Sequence, residues 1–115
     1  MLRGEIYRAA LDPVLGSEQG GTRPVVVVQN NVGNRYSPTV IVLAVTSRMN
    51  KARLPTHIEV PSPIGGTGHM ILAEQVRTLD KQRLTERLGA LPESVMAQVD
   101  RALLMSLGIG ARTDY

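Results

Sequence analysis

The sequence predicts a small, mainly β (α+β) fold: a strongly curved antiparallel sheet or barrel of about five or six short strands, capped by one C-terminal helix. Three observations carry this expectation. Arg23 to Gln29 and Thr39 to Thr46 are β-branched runs with the length of buried strands. Clusters of Gly, Pro, Asn and Ser interrupt the apolar segments at short intervals. A single segment, near the C-terminus, repeats its apolar residues with helical spacing.

The elements follow in order. Glu5 to Leu11 is apolar on both faces and stops at Asp12-Pro13, so it reads as the first strand. Residues 12–22 form a loop, and the strand beginning at Arg23 follows. Asn30 to Pro38 is dense in turn formers and reads as a surface loop. Thr39 to Thr46 is the next buried strand and delivers Thr46, Ser47 and Arg48 at its end. Met49 to Pro55 is a basic connection, and Thr56 to Val60 alternates as a half-exposed strand does. Pro61 to Gly68 reads as a turn or flexible loop. Met70 to Leu79 returns to strand character, interrupted by Glu74-Gln75 where an apolar pair is expected. Leu84 to Leu91 reads as a last strand, although its Thr-Glu-Arg-Leu pattern also fits a helix.

The helix spans Pro92 to Leu107, with Val95, Met96, Val99, Ala102, Leu103, Ser106 and Leu107 on one stripe. Pro92 suits its first turn, Glu93 the positive end of its dipole, and Gly108 its C′ position. Residues 1–109 are then a single domain and 110–115 a flexible tail.

Composition bounds the function. The 115 residues, 43% hydrophobic and 20% charged, suit one globular domain. No apolar run approaches the roughly 20 residues that span a bilayer. Met1 to Glu5 lacks the apolar core of a signal peptide, so a cytoplasmic protein without membrane association is expected. The absence of cysteine excludes disulfides, thiol catalysis and thiolate metal sites. His57 and His69 alone do not make an imidazole-rich site, so neither metal nor cofactor is expected. A net charge of +3 suits a polyanionic partner, though weakly. Three tyrosines (Tyr7, Tyr36 and Tyr115) and no Phe or Trp leave little stacking platform for single-stranded nucleic acid. Hydrogen bonds and arginines would have to carry recognition of RNA.

The most informative stretch is Gly16-Ser17-Glu18-Gln19-Gly20-Gly21-Thr22-Arg23-Pro24, which runs into four valines. Glycines let backbone approach a ligand closely, and an arginine at the strand mouth offers a planar fork suited to phosphate. Such a loop has the makings of a phosphate or nucleic-acid site.

The runs RGEIYRAALDPVLGSEQGGTRPVVVVQN, AVTSR and AEQVRTLDKQRL, in that order, resemble the MazF/PemK/Kid toxins of bacterial toxin–antitoxin pairs. The similarity extends from Arg3 to about Leu107; the pattern departs at Gly68-His69, where family members often carry an acidic-polar pair. The resemblance implies an SH3-like or CcdB-like barrel and a homodimeric endoribonuclease that cuts single-stranded mRNA at short sequences without metal. It implies catalytic roles for Arg23 and Thr46, and inhibition by a cognate antitoxin whose disordered tail covers the RNA groove.

The residues are suited to that chemistry. RNA carries its own nucleophile, the 2′-OH, and cleavage needs a base, an acid and positive charge beside the phosphorane-like transition state. Arg23 meets the charge requirement, and Thr46 can hydrogen-bond the phosphate or 2′-OH. The base stays open among Glu18, Glu74 and His69, because arginine is a poor one. Ser17, Glu18, Gln19 and Gln75 offer short donors and acceptors for the edges of splayed bases. With Ser47 and Glu74 they make up the expected RNA-binding set.

Blander readings stand beside these. Arg23 and Thr46 alone would be ordinary strand-end residues, and Glu74-Gln75 an exposed strand end or a dimer contact. Asp80 to Arg83 is most simply a solvated turn, and His57 a structural side chain. The cluster Arg48, Lys51 and Arg53 fits an RNA guide and an exposed loop equally. A gyrase-poisoning toxin of the CcdB type is the alternative function; it would act through its C-terminal helix end and would not need Arg23 and Thr46. An SH3-like interaction module would usually display groove aromatics, which this chain lacks. Finally, Met70 to Leu72 and the helix stripe of Val95, Val99 and Leu103 offer more apolar surface than one small sheet covers, so a homodimer is expected.

Overall fold

The β-branched runs do become the centre of a sheet. In the computed structural model, which describes residues 1–47, 54–60 and 68–110, the strands are β1 (Glu5–Ala10), β2 (Thr22–Val27), β3 (Thr39–Thr46), β4 (His57–Val60), β5 (His69–Asp80) and β6 (Leu84–Ala90). They form one antiparallel sheet in the order β4-β5-β3-β2-β1-β6. The two valine-rich strands, β2 and β3, lie in its interior, where both faces are covered and an alternating pattern is not required.

Burial on both faces divides the core in two. Ile6, Val26, Leu43, Val45, Ile58 and Ile71 form one cluster, against which helix α2 (Glu93–Leu107) lays Val99 and Ala102, flanked by Val95, Met96 and Leu103. Ala9, Leu11, Val25, Val27, Val40, Val42 and Leu79 form the second, on the opposite face. Each large side chain so buried contributes about 1.5–3 kcal/mol. Gly108 ends α2 in the left-handed conformation (φ 69°), and its N–H reaches the carbonyls of Leu104 and Met105.

The structure refines the sequence expectations at four places. Asn30 to Pro38 is not simply a loop: Asn31–Tyr36 is a short helix, α1, and the Asn30 side chain caps it by accepting from the Gly33 N–H at 2.8 Å. Leu84–Ala90 resolves as a strand, paired with β1, since an edge partner outweighs its helical pattern. Pro92 is the N-cap residue of α2 rather than part of its first turn. Asp80 to Arg83 is a capped 3-10 turn, Lys81–Arg83, rather than merely a solvated one. The basic segment from Arg48 to Arg53, most of the Pro61 to Gly68 loop and the tail beyond Gly110 lie outside the described residues. No helix among the described residues is long and apolar enough to cross a membrane.

Candidate active site

The glycine-rich loop enters and leaves the sheet side by side, and its root is heavily bonded. The Leu11 N–H donates to the Gly21 carbonyl at 2.9 Å, closing the loop between β1 and β2. Arg77 Nη1 donates to the Leu11 carbonyl at 2.8 Å, and Arg83 Nη1 to the carbonyls of Asp12 (2.6 Å) and Ala10 (3.2 Å). Within the loop, Glu18 Oε1 accepts from the Leu15 N–H at 2.9 Å. Gly21 calls for glycine by its backbone, whereas a side chain at Gly20 would force its neighbours to shift. Gly21 sits at φ +75°, and a Cβ on Gly20 would lie 2.7 Å from Asp12 Oδ1 and from Val14 Cγ2.

This loop aims Arg23. Its Nε donates to the Gly20 carbonyl at 2.7 Å, which fixes the guanidinium on the loop's own backbone. The two terminal nitrogens make no hydrogen bond among the described residues, so the outer edge of the fork remains available. The β2–β3 ladder ends at the pair Val25 and Ala44, and Arg23 and Thr46 each lie two residues beyond it, on the same side of their strands as that pair. Cross-strand neighbours share a face, so both stand on the face of the sheet away from α2, beyond Val25, Val27 and Val42. Thr46 exposes no surface, however, whereas Ser47 is exposed.

Of the expected base readers, Ser17 and Glu18 are exposed, while Gln19 is buried with 7% exposure. Gln75 reaches the loop only loosely, with Nε2 3.5 Å from the Ser17 carbonyl. The break in the β5 pattern has a structural cause. Leu43 pairs with Val76 but Ala44 pairs with Leu72, so Ala73, Glu74 and Gln75 are surplus to the ladder and bulge from it. Glu18, Glu74, Gln75, Val76 and Arg77 line a cleft of about 470 Å³ between this bulge and the loop.

Inside the bulge, Glu74 is held at both oxygens. Oε1 accepts from the Thr56 hydroxyl at 2.9 Å, and Oε2 lies 2.7 Å from His57 Nε2. The Leu54 N–H donates to His57 Nδ1 at 3.1 Å, so Nδ1 is the acceptor and the proton sits on Nε2, aimed at Glu74. Burial pushes the Glu74 carboxyl up, but the hydrogen bonds from His57, its own backbone and Thr56 outweigh it, and the group titrates below the usual carboxylate range. Glu74 is thus a fixed anion at neutral pH and a weakened base. His69, the other expected base, is half-buried, and its Nδ1 has no hydrogen-bond partner among the described residues.

Sequence reasoning missed Arg77 and Arg83 as braces of the loop, and Thr56 and His57 as holders of Glu74. Only the position of Thr56-His57 at the start of an alternating strand hinted at a paired surface. Among the described residues no group of three or more His, Asp or Glu side chains could hold a metal.

The chain as a whole matches a known family. Residues 2–107 fit the model of the PemK-like, MazF-like toxins of type II toxin–antitoxin systems. The chain belongs to that family. Endoribonuclease MazF of Staphylococcus epidermidis is 56% identical over 109 residues, spanning 93% of this chain and 91% of the relative. MazF of Deinococcus radiodurans superposes with a TM-score of 0.82 at 31% identity, covering 95% of this chain and 97% of that one. An endoribonuclease from a Mycobacterial species, solved with its cognate antitoxin, gives 0.78 at 30% identity, covering 97% and 99%. The family resemblance and the mainly β fold with its C-terminal helix, both read from the sequence, therefore hold.

Proposed function

We propose that this chain is a sequence-specific, metal-independent endoribonuclease toxin that cuts single-stranded mRNA in the cytoplasm and is neutralised by a cognate antitoxin. The observation that carries the reading is Arg23: fixed at Nε, with both terminal nitrogens unbonded among the described residues, and just past the end of the β2–β3 ladder on the side of Thr46. Such a donor pair is preorganised for the non-bridging oxygens of a phosphate. In the reaction the 2′-oxygen bonds to phosphorus as its proton leaves, the bond to the 5′-oxygen breaks, and that oxygen takes up a proton. Positive charge at Arg23 offsets the charge that accumulates on phosphorus-bound oxygen. The names of the relatives support the RNA substrate and the antitoxin partner. A gyrase poison would need neither the braced loop nor the Arg23–Thr46 pair.

The products provide the test. Purified protein incubated with a long RNA in EDTA should give downstream fragments with a 5′-hydroxyl and upstream fragments with a cyclic or 3′-phosphate. Polynucleotide kinase should then label the downstream fragments directly. Fragments that accept label only after phosphatase treatment would show a 5′-phosphate and discard the 2′-OH route. Cleavage that stops in EDTA would discard metal independence.

The apolar surplus expected at Met70 to Leu72 and Val99 is absent, since the sheet and helix bury these side chains within the chain; what supports a homodimer instead is the end of α2 and the residue after Gly108, where Leu104, Leu107 and Ile109 are large and exposed. Light scattering at micromolar concentration should return twice the monomer mass. A monomer with full ribonuclease activity would refute the dimer.

A further inference from the structure

We infer that His57 is a positioning residue for RNA recognition: its Nε2–H, with the Thr56 hydroxyl, locks the Glu74 carboxylate as an acceptor for an amino group on one base of the cleaved sequence. The inference rests on the ribonuclease reading and deepens it.

Among the described residues, the charges lining this cleft favour a base edge over a phosphate. Glu18 and Glu74 put two carboxylates into it, against the single guanidinium of Arg77, one of whose nitrogens is already committed to the Leu11 carbonyl. Phosphate is repelled from such a pocket, so a base edge rather than the backbone enters. An ionised carboxylate only accepts, so it selects base edges that donate: the exocyclic amine of adenine or cytosine, or the N1–H and N2 amine of guanine. Its oxygens have about four lone-pair sites, of which Thr56, His57 and the residue's own backbone N–H occupy one each. Acceptor capacity remains, and the Glu74 side chain keeps 28% exposure, while that of His57 is only 2% exposed. The imidazole is thus too enclosed to touch RNA itself, and its effect must pass through Glu74. Its orientation is set from behind by the Leu54 N–H on Nδ1. A carboxylate in an unsupported bulge would sample several rotamers; two donors from β4 and the residue before it remove that freedom.

The test uses wild type, His57→Leu, His57→Gln and Glu74→Gln, each confirmed folded by circular dichroism. The side-chain amide introduced by His57→Gln places an N–H near the Nε2 position, whereas leucine removes the donor. A mapped single-site RNA is synthesised with each base in turn replaced by its amine-free analogue: purine riboside for adenosine, inosine for guanosine, and pyrimidin-2-one riboside for cytidine. Wild type should lose about tenfold to a hundredfold in kcat/KM for one analogue position. His57→Leu and Glu74→Gln should lose that discrimination at that position alone, and His57→Gln should retain most of it. Unchanged discrimination in His57→Leu or Glu74→Gln overturns the inference. So does a uniform loss across all analogues, which is the mark of a merely structural histidine. Should His57→Leu fail to fold, His57→Asn replaces it: its amide oxygen can still accept from the Leu54 N–H, but its side chain is too short to donate to Glu74, so it too should lose the discrimination, and retaining it overturns the inference. Wild-type protein that cuts no RNA would instead bring down the ribonuclease reading, and this one with it.

Discussion

Arg23→Ala is expected to lower kcat/KM on single-stranded RNA by about 10²–10³-fold, the effect typical of removing one preorganised charged donor from a transition state. The fold should survive. Arg23 sits at the mouth of β2, where strand pairing with Ala9 runs through backbone groups that alanine retains. Its side chain lies outside both core clusters and makes one hydrogen bond, to the Gly20 carbonyl, in a part-buried setting. Losing that bond costs about 1 kcal/mol, a drop in Tm of roughly 4–8 °C at most. Arg23→Lys separates charge from geometry. Lysine keeps a point charge but has neither the second terminal nitrogen nor the Nε that anchors the fork. Its activity should fall between wild type and alanine. The measurement is cleavage of a single-site RNA beside a thermal melt. Wild-type turnover by a folded Arg23→Ala protein would remove Arg23 from the mechanism.

Local chemistry was legible in the sequence wherever it was dense. Val25 to Val28 and Thr39 to Thr46 could only be buried strands, and the stripe of α2 from Val95 to Leu103 matches the residues that pack on the sheet, while Leu107 at its end is exposed. The Asn31–Tyr36 helix was hidden because its six residues are too few for a periodic stripe and include Gly33 and two asparagines, poor helix formers. Only Asn30, as a cap, gave it away in retrospect. Glu74-Gln75 registered as a fault in a strand, and the fault is a bulge; polarity marked the place but not the geometry.

The partners of the loop were beyond reach for a different reason. Arg77 meets Leu11 across 66 residues and Arg83 meets Asp12 across 71. Pairings at such separation follow from strand order, and β1 lies between β2 and β6 only because the chain returns to the first edge after β5. His57 illustrates the same limit. An alternating strand gives it a face, but only the register that sets it opposite Leu72 brings it to the bulge and Glu74. The contacts that shape the cleft are therefore long-range, whereas Arg23 and its glycines belong to one local motif.

Thr46→Val should lower kcat by about 10²-fold with little change in KM if the hydroxyl acts only as the phosphate rearranges. Valine keeps the β-branched shape of a fully buried strand residue, so the exchange tests the hydroxyl and little else. A stability loss of about 0.5–1.5 kcal/mol accompanies it, the net worth of one hydrogen bond given up by the hydroxyl. Thr46→Ser makes the opposite change, retaining the hydroxyl and deleting a methyl, and should hold activity within about tenfold of wild type while costing about 1 kcal/mol. The decisive reading comes from combination. Thr46 and Arg23 both lie two residues past the last β2–β3 pair, and side chains that serve one phosphate do not contribute independently. The Arg23→Ala/Thr46→Val double variant should therefore be at most about tenfold slower than Arg23→Ala, not slower by the product of the two single effects. Full additivity would mean that the two residues act on different groups. Wild-type turnover by Thr46→Val would place its hydroxyl in the core, where its complete burial already sets it, and leave Arg23 without that partner.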